Sequence, residues 1–206
     1  MIDGDLLLRL YSTGCFPMWD PDEEEISVFR PDPRAVIEFD RFHVPRRLQS
    51  RMRSQPFDLK SDVAFEAVFD ACHERRSDGS WMCPELRDGY LELFERGFAH
   101  SVEAWLDGNL VGGLYGVHIG AAFMAESKFS RPDQGGADAS KICLVETVSH
   151  LISADFELLD VQFVNPHLEQ FGICEIGAVE YDQRLQAALA HPRNWRTESG
   201  RFGGFS

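Results

Sequence analysis

Residues 99–127 read AHSVEAWLDGNLVGGLYGVHIGAAFMAES. Apolar and polar residues alternate through most of this stretch, the period of a strand whose two faces meet different surroundings. Asp107-Gly108-Asn109 interrupts the alternation with the residues of a tight hairpin turn. Gly112, Gly113, Gly116 and Gly120 weaken a plain strand, so bulges or close approach of another group are expected there. A long antiparallel hairpin is therefore expected at the centre of the chain.

The flanks do not repeat a strand-helix unit. Residues 3–12 pattern as a short helix, and 13–25, TGCFPMWDPDEEE, as a turn-rich break with Gly14, Pro17 and Pro21. Short strands are expected at 26–30 and 35–39, a helix at 46–53 after Pro45, and a strand at FDLKSD, 57–62. Asp62 stands where it would cap a helix carrying Val63, Phe65, Val68, Phe69 and Cys72. A further helix runs from Pro84 to Arg96, with Gly97 as its stop. After the hairpin, the loop RPDQGGAD leads into a helix over 138–154 with Ile142, Val145, Val148 and Ile152 as its core face. The strand LLDVQFV, 158–164, and a last helix over 181–191 complete the order. This order predicts a mixed α/β (α+β) sheet and excludes a doubly wound parallel one. It suits a GNAT-like acyltransferase fold, in which substrate lies between splayed central strands; that match of pattern says nothing by itself about chemistry.

Composition narrows the classes. The net charge is −14, so embracing a long stretch of nucleic acid is disfavoured, because each phosphate contact needs a cation. Local positive charge exists in RFHVPRRLQSRMR, 41–53, where Arg41, Arg46, Arg47, Arg51 and Arg53 stand with no acid between them. That run is either a solvated helix face or a contact for a short nucleic-acid terminus. No apolar run has membrane-spanning length, and the N-terminus lacks the pattern of a secretory signal, so a cytoplasmic protein is expected. Cys15, Cys72, Cys83, Cys143 and Cys174 form no CxxC pair, which points to free thiols. The seven histidines make no HxxxH or HxH pair, so no metal site is expected.

Within 158–164, alternation sends Leu159, Val161 and Phe163 one way and Leu158, Asp160, Gln162 and Val164 the other. Asp160 and Gln162 then lie about 7 Å apart on one face. A buried carboxylate needs partners. Either Asp160 satisfies loop amides or an arginine, or it orients Gln162 at the floor of a cleft.

Five blocks together carry a family resemblance: LYSTGCFPM, FHVPRRL, AHSVEAWLDGNLVGGLYGV, FMAESKFS followed by ASK, and LLDVQFVNPHLEQFG. In this order, across residues 6 to 181, the chain resembles the leucyl/phenylalanyl-tRNA–protein transferases. The resemblance implies a small N-terminal domain (1–34) and a GNAT-like catalytic domain (35–206); the glycine-rich tail over 197–206 is by itself expected to be disordered. It implies transfer of leucine or phenylalanine from its tRNA to the N-terminal amine of a protein beginning with Arg or Lys, which marks the product for proteolysis. The tRNA ester is already activated, so neither cofactor nor metal is implied. The expected partners are the 3′ acceptor end of aminoacyl-tRNA and a basic acceptor terminus, with no membrane, and the expected state is a monomer.

By the same resemblance, Gln162 would hold the incoming amine, Asp160 would orient Gln162, and Glu126 would attract the cationic acceptor. Leu114, Phe123 and Thr147 fall on positions of the apolar aminoacyl pocket, and Asn165 near the ester. Tyr11, Trp81 and Tyr90 match aromatic positions round the terminal adenosine or the acceptor; each is otherwise an ordinary core aromatic. The arginines of 41–53 become a contact for the acceptor stem. Departures stand beside the matches. The family's GESMFS is AESKFS here, so Lys128 replaces a methionine and a cation beside Glu126 is expected to weaken the preference for basic acceptors. Thr147 predicts a wider or more polar pocket, and the loop over 131–141 is longer. Two rivals remain. An acyl-CoA-dependent acetyltransferase would use the spacing Gln134-x-x-Ala137-x-Ala139, which lacks that class's central glycine. The other is a binding module that has lost turnover.

Overall fold

The computed structural model describes residues 2–20, 23, 25–54, 56–74, 84–164 and 166–195. The hairpin forms as read. Strands β5 (Ala99–Leu106) and β6 (Asn109–Ile119) pair antiparallel across Asp107-Gly108, whose φ values of 49° and 80° are the left-handed pair a tight turn needs. β6 continues antiparallel into β7 (Ala122–Ser130). Around these three strands the sheet has the order β4-β5-β6-β7-β8-β3-β9, with β3 at Arg34–Ile37, β4 at Asp58–Ser61, β8 at Leu158–Gln162 and β9 at Ile173–Ile176. β7 and β8 pair parallel, and every other pairing is antiparallel. The sheet is mixed, as the element order required. A separate two-stranded ribbon joins β1 (Phe16–Asp20) to β2 (Glu25–Phe29).

Each face of the sheet has its own core. Helices α1 (Gly4–Ser12), α3 (Phe65–Glu74), α4 (Pro84–Glu95) and α7 (Ala178–Leu189) cover one face, burying Leu7, Tyr11, Phe65, Phe69, Tyr90 and Leu185 with Tyr115 of β6. Helix α1 thus shares its core with α4 through Leu7 and Tyr11, an i,i+4 pair on one side of the helix. Helices α5 (Ala139–Ser153) and α2 (Arg46–Arg53) cover the other face, burying Leu48, Ile142, Val145 and Val148 against Val102 and Leu114. The short helix α6 (Pro166–Glu169) leads into β9. Gly112 lets α5 approach: a Cβ on it would stand 2.3 Å from the Ala139 Cβ.

Several local expectations give way. Asp62 does not cap α3. Its φ is 58°, and its carboxylate accepts from Ser101 N and meets His100 Nδ1, each at 2.8 Å. Glu103 from β5 takes the exposed amides instead, its Oε1 accepting from Val63 N at 2.9 Å and Ala64 N at 2.6 Å. On α5, Ile152 is 48% exposed and Leu151, three residues after Val148 on the buried face, is enclosed in its place. Strand β8 stops at Gln162, whose φ of 64° bends the chain outward, so Phe163 is 48% exposed rather than part of a buried face. After α7 the chain crosses back over the sheet, and Trp195 stacks on His100 and Phe123 while donating to Ser61 Oγ at 2.9 Å.

Candidate active site

The cleft originates in strand geometry. β7 and β8 pair only over Ala122–Met124 and Leu158–Asp160. Past Met124, β7 stays with β6 to Ser130, while β8 turns off at Gln162 beside β3. The two central strands therefore splay and open a cavity of about 650 Å³. Its walls include Leu114, Ala125, Glu126, Lys128, Val161 and Gln162, with Leu144 from α5. A bulge in the β6–β7 ladder sits at the same point: Tyr115 pairs with Ser127 and Gly116 with Ala125, which leaves Glu126 as the extra residue. Bulges re-aim a side chain, and the one re-aimed here is Glu126. Gly116 permits it, since a Cβ there would meet Met124 O at 2.4 Å.

Two layers of polar contact converge on Gln162. Its side-chain Nε2 donates to Glu126 Oε1 at 2.9 Å across the cleft. Its backbone N–H donates to Asp160 Oδ1 at 2.9 Å. Asp160 thus fixes the backbone of Gln162, whereas the side-chain amide expected to meet Asp160 meets Glu126. Asp160 itself is 0% exposed and Arg34 1%. Arg34 Nε and Nη2 donate to the two oxygens of Asp160 at 2.8 and 2.6 Å, and Tyr181 Oη adds a bond of 2.7 Å. The Arg34 guanidinium also lies over the rings of Phe16 and Tyr181. Asp160 is thus satisfied by an arginine, and it also holds Gln162, through the backbone N–H rather than the side chain. The bond Arg34 makes to Asp160 spans 126 residues of sequence, so no local pattern signals it.

Behind Glu126 stand two buried tyrosines. Tyr90 Oη donates to Glu126 Oε2 at 3.4 Å and shares a hydrogen bond with Tyr11 Oη. Both rings are enclosed in the core, so neither offers a face for a base to stack on. Burial raises both phenols well above their ordinary values, with the Glu126 charge adding to the rise. Burial also pushes Glu126 up to about 7; hydrogen bonding from the tyrosine pair and from Gln162 pulls against that, and the charge of Asp160 adds to it. The result is a carboxyl that exchanges a proton near neutrality, hydrogen-bonded to an amide at the mouth of a cleft.

Leu114 lines the cleft. Phe123 does not: it is buried under Trp195. Thr147 is buried in α5, with its hydroxyl bonded to Cys143 O at 2.8 Å. Leu144, Phe129, Val161 and Leu168 supply apolar wall that sequence reasoning did not assign. Arg41, Arg46, Arg47, Arg51 and Arg53 are all exposed, on α2 and the segment before it. Trp81, Asn165 and the tail 197–206 lie outside the described residues. Lys128 lines the same cleft as Glu126 but forms no ion pair with it. No helix among the described residues is long and apolar enough to cross a membrane.

The fold is a mixed α/β sheet whose parallel central pair splays over a polar couple. Comparison with known proteins narrows this. The family model described as leucyl/phenylalanyl-tRNA protein transferase matches residues 36–186. The chain is 47% identical to the leucyl/phenylalanyl-tRNA–protein transferase of Paramagnetospirillum magneticum over 192 residues, covering 92% of this chain and 90% of that protein. It is 45% identical to the one from Gloeobacter violaceus, covering 93% and 96%. Among solved structures it is similar to a ribosomal-protein-alanine N-acetyltransferase from Brucella melitensis, with a TM-score of 0.38 and 16% identity over 55% of this chain and 85% of that one. The chain belongs to the leucyl/phenylalanyl-tRNA–protein transferase family and is a transferase.

Proposed function

We propose that the protein takes leucine or phenylalanine from the 3′ end of aminoacyl-tRNA and joins it to the N-terminal amine of an acceptor that begins with Arg or Lys, so tagging the acceptor for degradation. The observation that carries this reading is the Gln162–Glu126 hydrogen bond inside the cleft. With its Nε2 committed to Glu126, the amide oxygen of Gln162 is left to accept from an incoming amine. The amine must lose a proton to attack. Glu126, pushed up to about 7 by burial, takes that proton at neutral pH. The amine lone pair forms the new C–N bond at the ester carbonyl, the C–O bond to the ribose breaks, and the proton passes on to the departing ribose oxygen. Asp160, enclosed by Arg34 and Tyr181, acts as a positioning residue that holds the bent backbone of Gln162. Leu114 and Leu144 give the acyl side chain an apolar bed, and the exposed arginines of 41–53 supply cations for the acceptor stem of an otherwise acidic protein.

The test is transfer of labelled leucine or phenylalanine from charged tRNA to peptides beginning with Arg, Lys, Asp or Ala. Transfer to the Arg and Lys peptides is expected. Gln162→Ala should reduce it by about 10²–10³-fold with the melting temperature unchanged. Full activity in that variant removes Gln162 from the mechanism, and binding of acetyl-CoA in calorimetry would favour an acyl-CoA donor instead.

A further inference from the structure

The wall beside the Gln162–Glu126 pair holds a residue for which transfer of an apolar amino acid has no use. Lys128 stands on β7 two residues beyond Glu126 and directly across the ladder from Leu114. Both line the cleft, with Ala125, Phe129 and Leu144 adjoining. No carboxylate among the described residues pairs with the Lys128 ammonium. The neighbouring Lys141 differs in this respect, being bonded to Asp138 at 2.8 Å. Burial in the cleft wall pushes Lys128 down to about 8, with the charge of Cys72 acting against the fall and that of Lys141 adding to it.

A leucyl or phenylalanyl side chain laid on Leu114 would strip water from this ammonium and return no partner. Leaving a buried polar group unpaired is costly, and a site built around such a group discriminates strongly between side chains that can pair with it and side chains that cannot. A side chain of similar length ending in a carboxylate covers the same apolar wall with its methylenes and pairs with the ammonium at its tip.

We propose that Lys128 is a specificity-determining residue for the transferred amino acid, pairing with the side-chain carboxylate of an aspartyl or glutamyl donor held against Leu114. This rests on the aminoacyl-tRNA reading above and extends its donor range from leucine and phenylalanine to acidic amino acids. The reaction is unchanged: the same ester bond breaks and the same amide forms. The charged groups that share the cleft with Lys128 are Glu126, Asp138 and Lys141, and Cys72 and Lys141 act on it electrostatically. Between about pH 7 and pH 9 Lys128 loses its proton, so the preference for an acidic over an apolar donor falls across that range. Titration of the acceptor amine affects both donors alike and cancels in the ratio; ionisation of Glu126 also disfavours an acidic donor, and Lys128→Met, which keeps Glu126, separates that contribution from the one due to Lys128.

The experiment charges one tRNA body chemically with glutamate, aspartate, leucine or phenylalanine and measures kcat/KM for each donor with one Arg peptide. The wild-type protein, Lys128→Met and Lys128→Arg are compared. Glutamyl or aspartyl transfer by the wild type is expected. In Lys128→Met the glutamyl-to-leucyl ratio should fall about tenfold or more, and the fall in that ratio between pH 8 and pH 9 should be lost. Lys128→Arg, which keeps the charge, should keep the preference. Leucyl transfer without any glutamyl or aspartyl transfer overturns the assignment and leaves the reaction standing. An equal loss for all four donors in Lys128→Met also overturns it, because it marks a contact to a tRNA phosphate. Absence of transfer from every donor refutes the reaction itself, and the assignment with it.

Discussion

Replacing Arg34 with methionine tests the idea that a buried ion pair shapes the cleft. Arg34 and Asp160 are 1% and 0% exposed and joined by two hydrogen bonds of 2.8 and 2.6 Å. Removing one member of such a pair leaves an uncompensated charge in the interior, which costs about 3–5 kcal/mol. For a chain of this size each kcal/mol lowers the melting temperature by about 2–4 °C, so Arg34→Met should melt about 6–20 °C below the wild type. Activity should fall further than the loss of folded protein explains, because Asp160 Oδ1 holds the N–H of Gln162 in its left-handed bend. Thermal denaturation followed by circular dichroism gives the first quantity, and single-turnover transfer at a temperature where the variant remains folded gives the second. The double variant Arg34→Met/Asp160→Leu removes both charges and should recover much of the lost stability, but not the activity. A melting temperature within about 2 °C of the wild type for Arg34→Met would refute the reasoning, since it would place that carboxylate in contact with water.

Two further outcomes follow from the geometry. The folded-state pKa of Glu126 is raised from an ordinary 4.5 to about 7, so between those values the folded state binds more protons than the unfolded state, and stability is lost as pH rises through that window. Glu126→Gln should therefore raise the melting temperature at pH 8 and leave it nearly unchanged at pH 4.5, and it should flatten the rise in transfer rate near pH 7; an identical pH profile in variant and wild type contradicts both. Gly112→Ala should destabilise the protein by about 1–3 kcal/mol in chemical denaturation, because the new methyl meets Ala139 at 2.3 Å and forces α5 off the sheet; a neutral effect would mean the helix is not held that closely.

What was legible in the chain was what short-range physics controls. Asp107-Gly108 announces its turn because few residue pairs tolerate two left-handed conformations in succession. Gly116 announced a bulge because a side chain there would strike the neighbouring strand. Leu159 and Val161 alternate with Leu158 and Asp160 across the sheet because successive strand side chains point to opposite faces. Asp62 misled because its residue type suits a cap, yet Glu103, distant in sequence, takes the amides and leaves Asp62 to His100. Tyr11 and Tyr90 carried the chemistry of stacking residues, but the depth of their burial is a property of the packed α1–α4 pair and not of either tyrosine.

The sequence alone therefore determined the mixed sheet, its central hairpin and the presence of a polar couple at the end of a strand, since periodicity and turn chemistry act over a few residues. Only the tertiary structure decided that Asp160 is closed off by Arg34, that Glu126 and not Asp160 meets the side-chain amide of Gln162, and that Lys128 stands across from Leu114 with no carboxylate paired to it among the described residues. Those are matters of which distant segments share a space, and they follow from where β7 and β8 part company.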